Sequence, residues 1–206
     1  PSPETPHAYT TSGYADAIEG IRRALNAPHW FVCGYSLGAA ITIRYALTYP
    51  ERVLGHVFTN SASAFADRAL TEEWRQNAAR SAERLREGGM AAVEKIPVHP
   101  RRARRLPEGV YAALVEDAER IDPEGIASAM AHTMPSASVR ADVRANTRPA
   151  LLVCGSREHR FAAHREYAER SMPELSIVDV EAGHGVNMQA ADAFNAAVKA
   201  FVAAHS

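Results

Sequence analysis

Trp30-Phe31-Val32-Cys33-Gly34-Tyr35-Ser36-Leu37-Gly38 is an apolar run that breaks at a glycine-bracketed serine and then passes into a helical pattern. Read as strand, turn and helix, it puts Ser36 at a sharp strand-to-helix turn. Such a turn holds the hydroxyl above a sheet, with a helix N-terminus beneath it. Gly34 and Gly38 stand two places before and after the serine, where strand and helix nearly touch and a side chain is expected to collide. The spacing alone is weak. With glycine and serine each near ~7% of residues, it arises by chance in roughly one chain in fifteen of this length. The flanking apolar run and helix lift it above that background.

Upstream, Tyr14, Ile18, Ile21 and Leu25 form an apolar stripe at helical spacing, with Thr11 or Ser12 as the expected cap. His29 to Gly34 reads as a buried strand, Gly38 to Leu47 as a helix stopped by Tyr49-Pro50, and Val53 to Thr59 as a second strand. Between Ser63 and Thr147 the strand signal vanishes. Leu70, Trp74, Ala78 and Leu85 mark a long helix expected to end at Gly88-Gly89. Val110, Leu114 and Ala118 mark another, and Asp122-Pro123 opens a third carrying Ile126 and Met130. Strands return at Ala150–Gly155 and Leu175–Val180, separated by a helix near Ala163 to Ser171. Phe194, Val198, Phe201 and Val202 define a closing helix. Strands alternating with helices imply a parallel sheet, covered on both faces, with right-handed crossovers.

Bulk properties narrow the functional classes. The chain has 206 residues, 47% hydrophobic and 23% charged, with a net charge of -1. That balance argues against a nucleic acid or an anionic membrane as partner, and a small-molecule substrate is expected instead. No apolar run approaches the ~20 residues of a membrane-spanning helix. Cys33 and Cys154, each inside an apolar run, read as buried free thiols of a reducing, cytoplasmic setting. The opening, Pro1-Ser2-Pro3-Glu4-Thr5-Pro6, lacks a methionine and looks like the interior of a longer protein, so a signal peptide upstream stays an open question.

A serine hydroxyl is a poor nucleophile until a base takes its proton, and the base needs a third group to orient it. The sequence offers both after later strands. Glu158 lies three residues beyond Gly155, and His184 lies in Ala182-Gly183-His184-Gly185. The order Ser36, Glu158, His184, the segment Pro149 to Glu158 and the segment Glu181 to Met188 together resemble the α/β-hydrolase fold family. The resemblance spans nearly the whole chain. It implies a hydrolase core over residues 1–62 and 148–206, a parallel sheet of about four strands with flanking helices, and a helical cap over 63–147. It assigns Ser36 as nucleophile, His184 as base, Glu158 as orienting acid and the Leu37 N–H as oxyanion donor. Most members with this layout carry Asp where Glu158 stands. Only the last four of the family's eight strands are found, so roughly 50–70 residues of the fold, including a loop with the second oxyanion donor, are expected to be missing. On that reading this chain alone is a weak or inactive catalyst.

Several features have plainer readings. Ser36 could be a helix N-cap, His184 one of nine histidines on the surface, and Glu158 a partner of Arg157 or Arg160. Asp179 is the substitute acid, but it lies inside a strand. Arg101-Arg102-Ala103-Arg104-Arg105 reads as a solvated loop. His159 and His164 have no evident third ligand, so neither metal nor cofactor is expected. Met90, Met130, Met134, Phe65 and Trp74 are expected in the cap core, where some could line a pocket. The sequence thus leaves three functions open: a serine hydrolase of small, mostly apolar esters, thioesters or activated C–C bonds; a non-catalytic ligand-binding member; and an inactive fragment.

Overall fold

The computed structural model describes residues 2–103 and 106–206, so Arg104 and Arg105 of the basic run lie outside the described residues. Four parallel strands form one sheet in the order β1 (Trp30–Gly34), β2 (Val53–Thr59), β3 (Ala150–Gly155), β4 (Leu175–Val180). A parallel sheet needs helices on both faces, and the alternation along β3 supplies one residue set to each. Ala150, Leu152 and Cys154 pack with Ile43 of α2 (Leu37–Thr48) and Ala168 of α6 (Ala162–Ser171). Leu151 and Val153 pack on the other side with Phe201 of α8 (Ala191–His205) and Val186 of the one-turn α7 (Val186–Gln189). All six residues of β3 are therefore buried, whereas β4 at the edge alternates and leaves Val178 exposed. Each fully buried Leu or Ile here contributes roughly 1.5–3 kcal/mol.

Sequence periodicity misplaces one face. Helix α1 (Thr11–Ala24) buries Thr11, Ala15, Glu19 and Arg22, one step round from the apolar stripe, so Ile21 is 55% exposed and Leu25, just beyond the helix, 67%. The buried polar groups are satisfied. Arg22 Nε and Nη2 donate to the two Glu19 carboxylate oxygens at 2.8 and 2.7 Å, and the Tyr45 hydroxyl of α2 donates to Glu19 at 2.9 Å. Trp30 of β1 donates to the Tyr45 oxygen at 3.1 Å. These charge-assisted bonds place α1 against α2 and the start of β1, a link that hydrophobic spacing does not encode.

Cys33 and Cys154 are both free, on strands with β2 between them. Cys154 is buried, but Cys33 is exposed, contrary to the expectation for its apolar run. It lies on β1, which among the described residues pairs with β2 alone and is the other edge of the four-stranded sheet.

The chain divides into two units. The sheet unit comprises 11–67 and 137–206; the helical unit comprises 68–136 with the first ten residues. The helical block is thus narrower than 63–147, and Phe65, expected in a cap, is fully buried in the sheet unit against Phe58 and Phe161. In the helical unit, α3 (Arg68–Val93) packs on α5 (Pro123–Ser136) through Ala82, Leu85, Val93 and Ala127. Gly88-Gly89 breaks α3 without ending it. Gly89 adopts φ 52°, open to glycine at little cost, and the helix resumes so that Met90 and Val93 reach the apolar cluster. Helix α4 (Glu108–Ala118) follows, and Asp122 Oδ1 accepts the Glu124 N–H at 3.0 Å to open α5. Among the described residues no helix is long and apolar enough to cross a membrane.

Candidate active site

At the end of β1 the backbone turns through Ser36, whose φ of 53° and ψ of -117° lie where non-glycine residues are strained. The turn is held tightly. A Cβ on Gly34 would lie 2.3 Å from the Gly38 carbonyl oxygen and 2.4 Å from Thr42 Oγ1. A Cβ on Gly38 would meet nothing within 4 Å, so the expected collision exists at the first glycine and not at the second. The approach is asymmetric because the carbonyl of residue 38 points at the strand while its Cα substituent points away. The Ser36 N–H donates to Thr59 Oγ1, at the end of neighbouring β2, at 3.1 Å. Leu37 is the first residue of α2, and the helix itself does not use its N–H.

The three residues singled out from sequence meet at this end of the sheet. Ser36 Oγ lies 2.8 Å from His184 Nε2, and His184 Nδ1 lies 3.0 Å from both Oε1 and Oε2 of Glu158. An ionised carboxylate only accepts, so Nδ1 carries the proton and Nε2 presents a lone pair to the serine hydroxyl. Burial pushes the Glu158 carboxyl up, but hydrogen bonds from His184 and Asn60 and the charges of His184 and Arg160 outweigh it, leaving the group below its ordinary range. The Tyr35 ring sits 5.4 Å from the His184 ring; burial, then the Glu158 charge, raises its phenol above the usual value.

The loops carrying Glu158 and His184 are laced together. Ser156 N–H donates to the Val180 carbonyl and Arg157 N–H to the Ala182 carbonyl, each at 2.9 Å. Gly155 is obligatory at that junction, since a Cβ there would stand 2.0 Å from the Gly183 oxygen. Gln189 Oε1 accepts the Gly183 N–H at 2.7 Å and so pins the residue before His184. Two of the alternatives, Asp179 and Arg157, are engaged elsewhere. Asp179 accepts from Arg165 at 3.0 Å, and Arg157 donates to Glu181 at 2.9 Å.

Sequence reasoning missed Thr59, Asn60 and Gln189. Asn60, 1% exposed, donates from Nδ2 to the Gly155 carbonyl at 3.0 Å and to Glu158 Oε2 at 2.8 Å, while its Oδ1 accepts the Gly155 N–H at 2.9 Å. The available signal was positional: a Thr-Asn pair closes the apolar run of β2, beside the strand that ends in the serine turn.

A model of the alpha/beta hydrolase fold matches residues 1–191. A Bacillus subtilis (strain 168) protein named as a 2-succinyl-6-hydroxy-2,4-cyclohexadiene-1-carboxylate synthase is 24% identical over 201 residues, 94% of this chain and 73% of its own. Among solved structures, MenH from S. aureus superposes with a TM-score of 0.80 at 15% identity, covering 95% of this chain and 76% of that one. A thermophilic esterase from Thermogutta terrifontis superposes with a TM-score of 0.70 at 25% identity, covering 96% and 74%.

Proposed function

Because the chain belongs to the alpha/beta hydrolase fold family, we propose that it is a serine hydrolase acting on a small, mostly apolar carboxylic ester, thioester or activated C–C bond. The observation that carries this reading is the 2.8 Å contact of Ser36 Oγ with His184 Nε2, with Glu158 on the opposite ring nitrogen. Ser36 Oγ attacks the acyl carbonyl carbon as His184 Nε2 takes its proton, and the positive imidazole is stabilised by Glu158. The oxygen, now anionic, accepts from the Leu37 N–H at the start of α2. Collapse expels the leaving group, which takes the proton from Nε2–H. Water, deprotonated by His184, then releases the acid from Ser36.

The test is fluorophosphonate labelling followed by a panel of acyl esters. Labelling and turnover should both vanish in Ser36→Ala. Glu158→Gln should keep the fold and lose roughly a thousandfold to ten-thousandfold in turnover, because the imidazole loses its negative partner. Labelling that survives Ser36→Ala would sink the proposal. Similarity to a protein named as a synthase favours a second reading, a reaction other than hydrolysis at the same serine. That reading expects Ser36-dependent labelling with no acyl release from any ester.

A further inference from the structure

We propose that Asn60 is a positioning residue for Glu158, fixing which way the carboxylate of the Ser36–His184–Glu158 constellation faces; this rests on the hydrolase reading above. Glu158 sits in the turn after β3, on a side chain one methylene longer than Asp and with one more rotatable bond. Asn60 directly follows β2, the strand between the one that leads to Ser36 and the one that leads to Glu158. Its amide makes two hydrogen bonds to Gly155 of β3, at 3.0 and 2.9 Å, and one to Glu158 at 2.8 Å.

The orientation of that amide is determined by its partners. Oδ1 faces the Gly155 N–H, while Nδ2 faces the Gly155 carbonyl and Glu158 Oε2. Rotating it by 180° would set oxygen against two acceptors and nitrogen against a donor. One Nδ2–H is therefore aimed at Glu158 by backbone groups at the end of β3. Asn60 is 1% exposed, so water does not compete for the bond. With Oε2 held, both carboxylate oxygens stand 3.0 Å from His184 Nδ1. Asn60 never touches the reacting atoms; it acts through Glu158.

A structural role for Asn60 would also weaken the protein when it is removed, so the decisive measurement is a kinetic cycle in p-nitrophenyl acetate turnover. Asn60→Ala should lower kcat by about tenfold to a hundredfold, the size expected for a lost bond to a charged group, with KM changed less than about threefold. In a Glu158→Gln background the same substitution should cost almost nothing further, because its target charge is already gone. An equal loss in both backgrounds would overturn the inference, while Ser36-dependent labelling would leave the hydrolase reading standing. Should Asn60→Ala fail to fold, Asn60→Asp keeps the shape and sets a second carboxylate against Glu158. Like charge disfavours the ionised form of Glu158 and so moves the acid limb of the kcat/KM profile upward. An unmoved limb would equally overturn it.

Discussion

At the C-terminal ends of the strands, polar side chains are bonded to backbone: buried Thr59 to the Ser36 N–H and buried Asn60 to both groups of Gly155, with half-buried Gln189 of α7 on the Gly183 N–H. The helical unit is arranged otherwise. Among the described residues its buried polar contacts include Thr133 to the Tyr9 carbonyl and His99 accepting the Arg101 N–H, and many of its charges pair at the surface. Arg86 with Glu124 and Arg120 with Glu116 are examples, all four side chains exposed. A buried bond to backbone fixes a position because its loss leaves an unsatisfied group. An exposed ion pair is replaced by water at little cost. The sheet unit is therefore built to hold three turns in register, and the helical unit is held by the apolar seam between α3 and α5, which tolerates repacking.

The largest effect expected on this contrast comes from the serine turn itself. Gly34→Ala drives a Cβ into the Gly38 carbonyl, which belongs to the helix backbone and cannot rotate away. It should destabilise by about 3 kcal/mol or more, at the upper end for overpacking, and abolish fluorophosphonate labelling. Gly38→Ala meets open space and should change stability by less than about 1 kcal/mol, in the favourable direction if anything, since alanine is the better helix former. Urea unfolding of both variants checks this. Equal costs would mean that the turn is not clamped by the approach of strand to helix.

Much of this was legible in sequence because periodicity and punctuation reflect backbone geometry. The apolar runs of β2 and β4 give their bounds to the residue, since both are flanked by turn residues. Ser36, Glu158 and His184 stood out because each follows such a run, and in the structure they lie within hydrogen-bond reach. What failed was pairwise. Glu19 and Arg22 on the buried face of α1 read as surface residues until Tyr45 and Trp30 are known to face them. Gly38 looked equivalent to Gly34 because a spacing carries no direction. Asn60 has no periodic signature at all; its role exists only once β3 is laid beside β2.

A second effect tests whether burial of polar groups in the sheet unit has a pH cost. His56 of β2 is fully buried, and desolvation, opposed by the bond to Asn146, pushes its imidazole down to about 4 from 6.5. Asn146 donates its amide to the carbonyls of Arg148 and Pro173, so its Oδ1 accepts and His56 Nε2 carries the proton in a neutral ring. The sign follows from which state binds protons first. Above pH 6.5 both states are neutral and stability is full; between 6.5 and 4 the unfolded chain takes up a proton that the folded one refuses. About 3 kcal/mol should be lost across that window. Urea unfolding at pH 7 and pH 4.5 should reveal the loss in the native protein and a flatter response in His56→Gln, which keeps a donor for Asn146. Parallel pH responses in the two proteins would show that His56 is not the group responsible.

The smallest effect belongs to the helical unit, and it is the sharpest check on the contrast. Arg86 meets Glu124 in a two-pronged arrangement, Nε to Oε2 and Nη2 to Oε1, each at 2.9 Å. By geometry this is the best of the surface pairs, and each carboxylate–guanidinium contact favours the charged form of both partners. Yet both side chains are open to water, which hydrates the separated charges nearly as well and lets dissolved salt screen the attraction. Arg86→Ala should leave the urea midpoint within experimental scatter in 0.5 M salt, with any small deficit confined to low ionic strength. It should leave p-nitrophenyl acetate turnover unchanged. A loss as large as that of Gly34→Ala, persisting in salt, would mean that the helical unit is positioned by its ion pairs as firmly as the sheet unit is by its buried amides. The distinction between the two would then collapse.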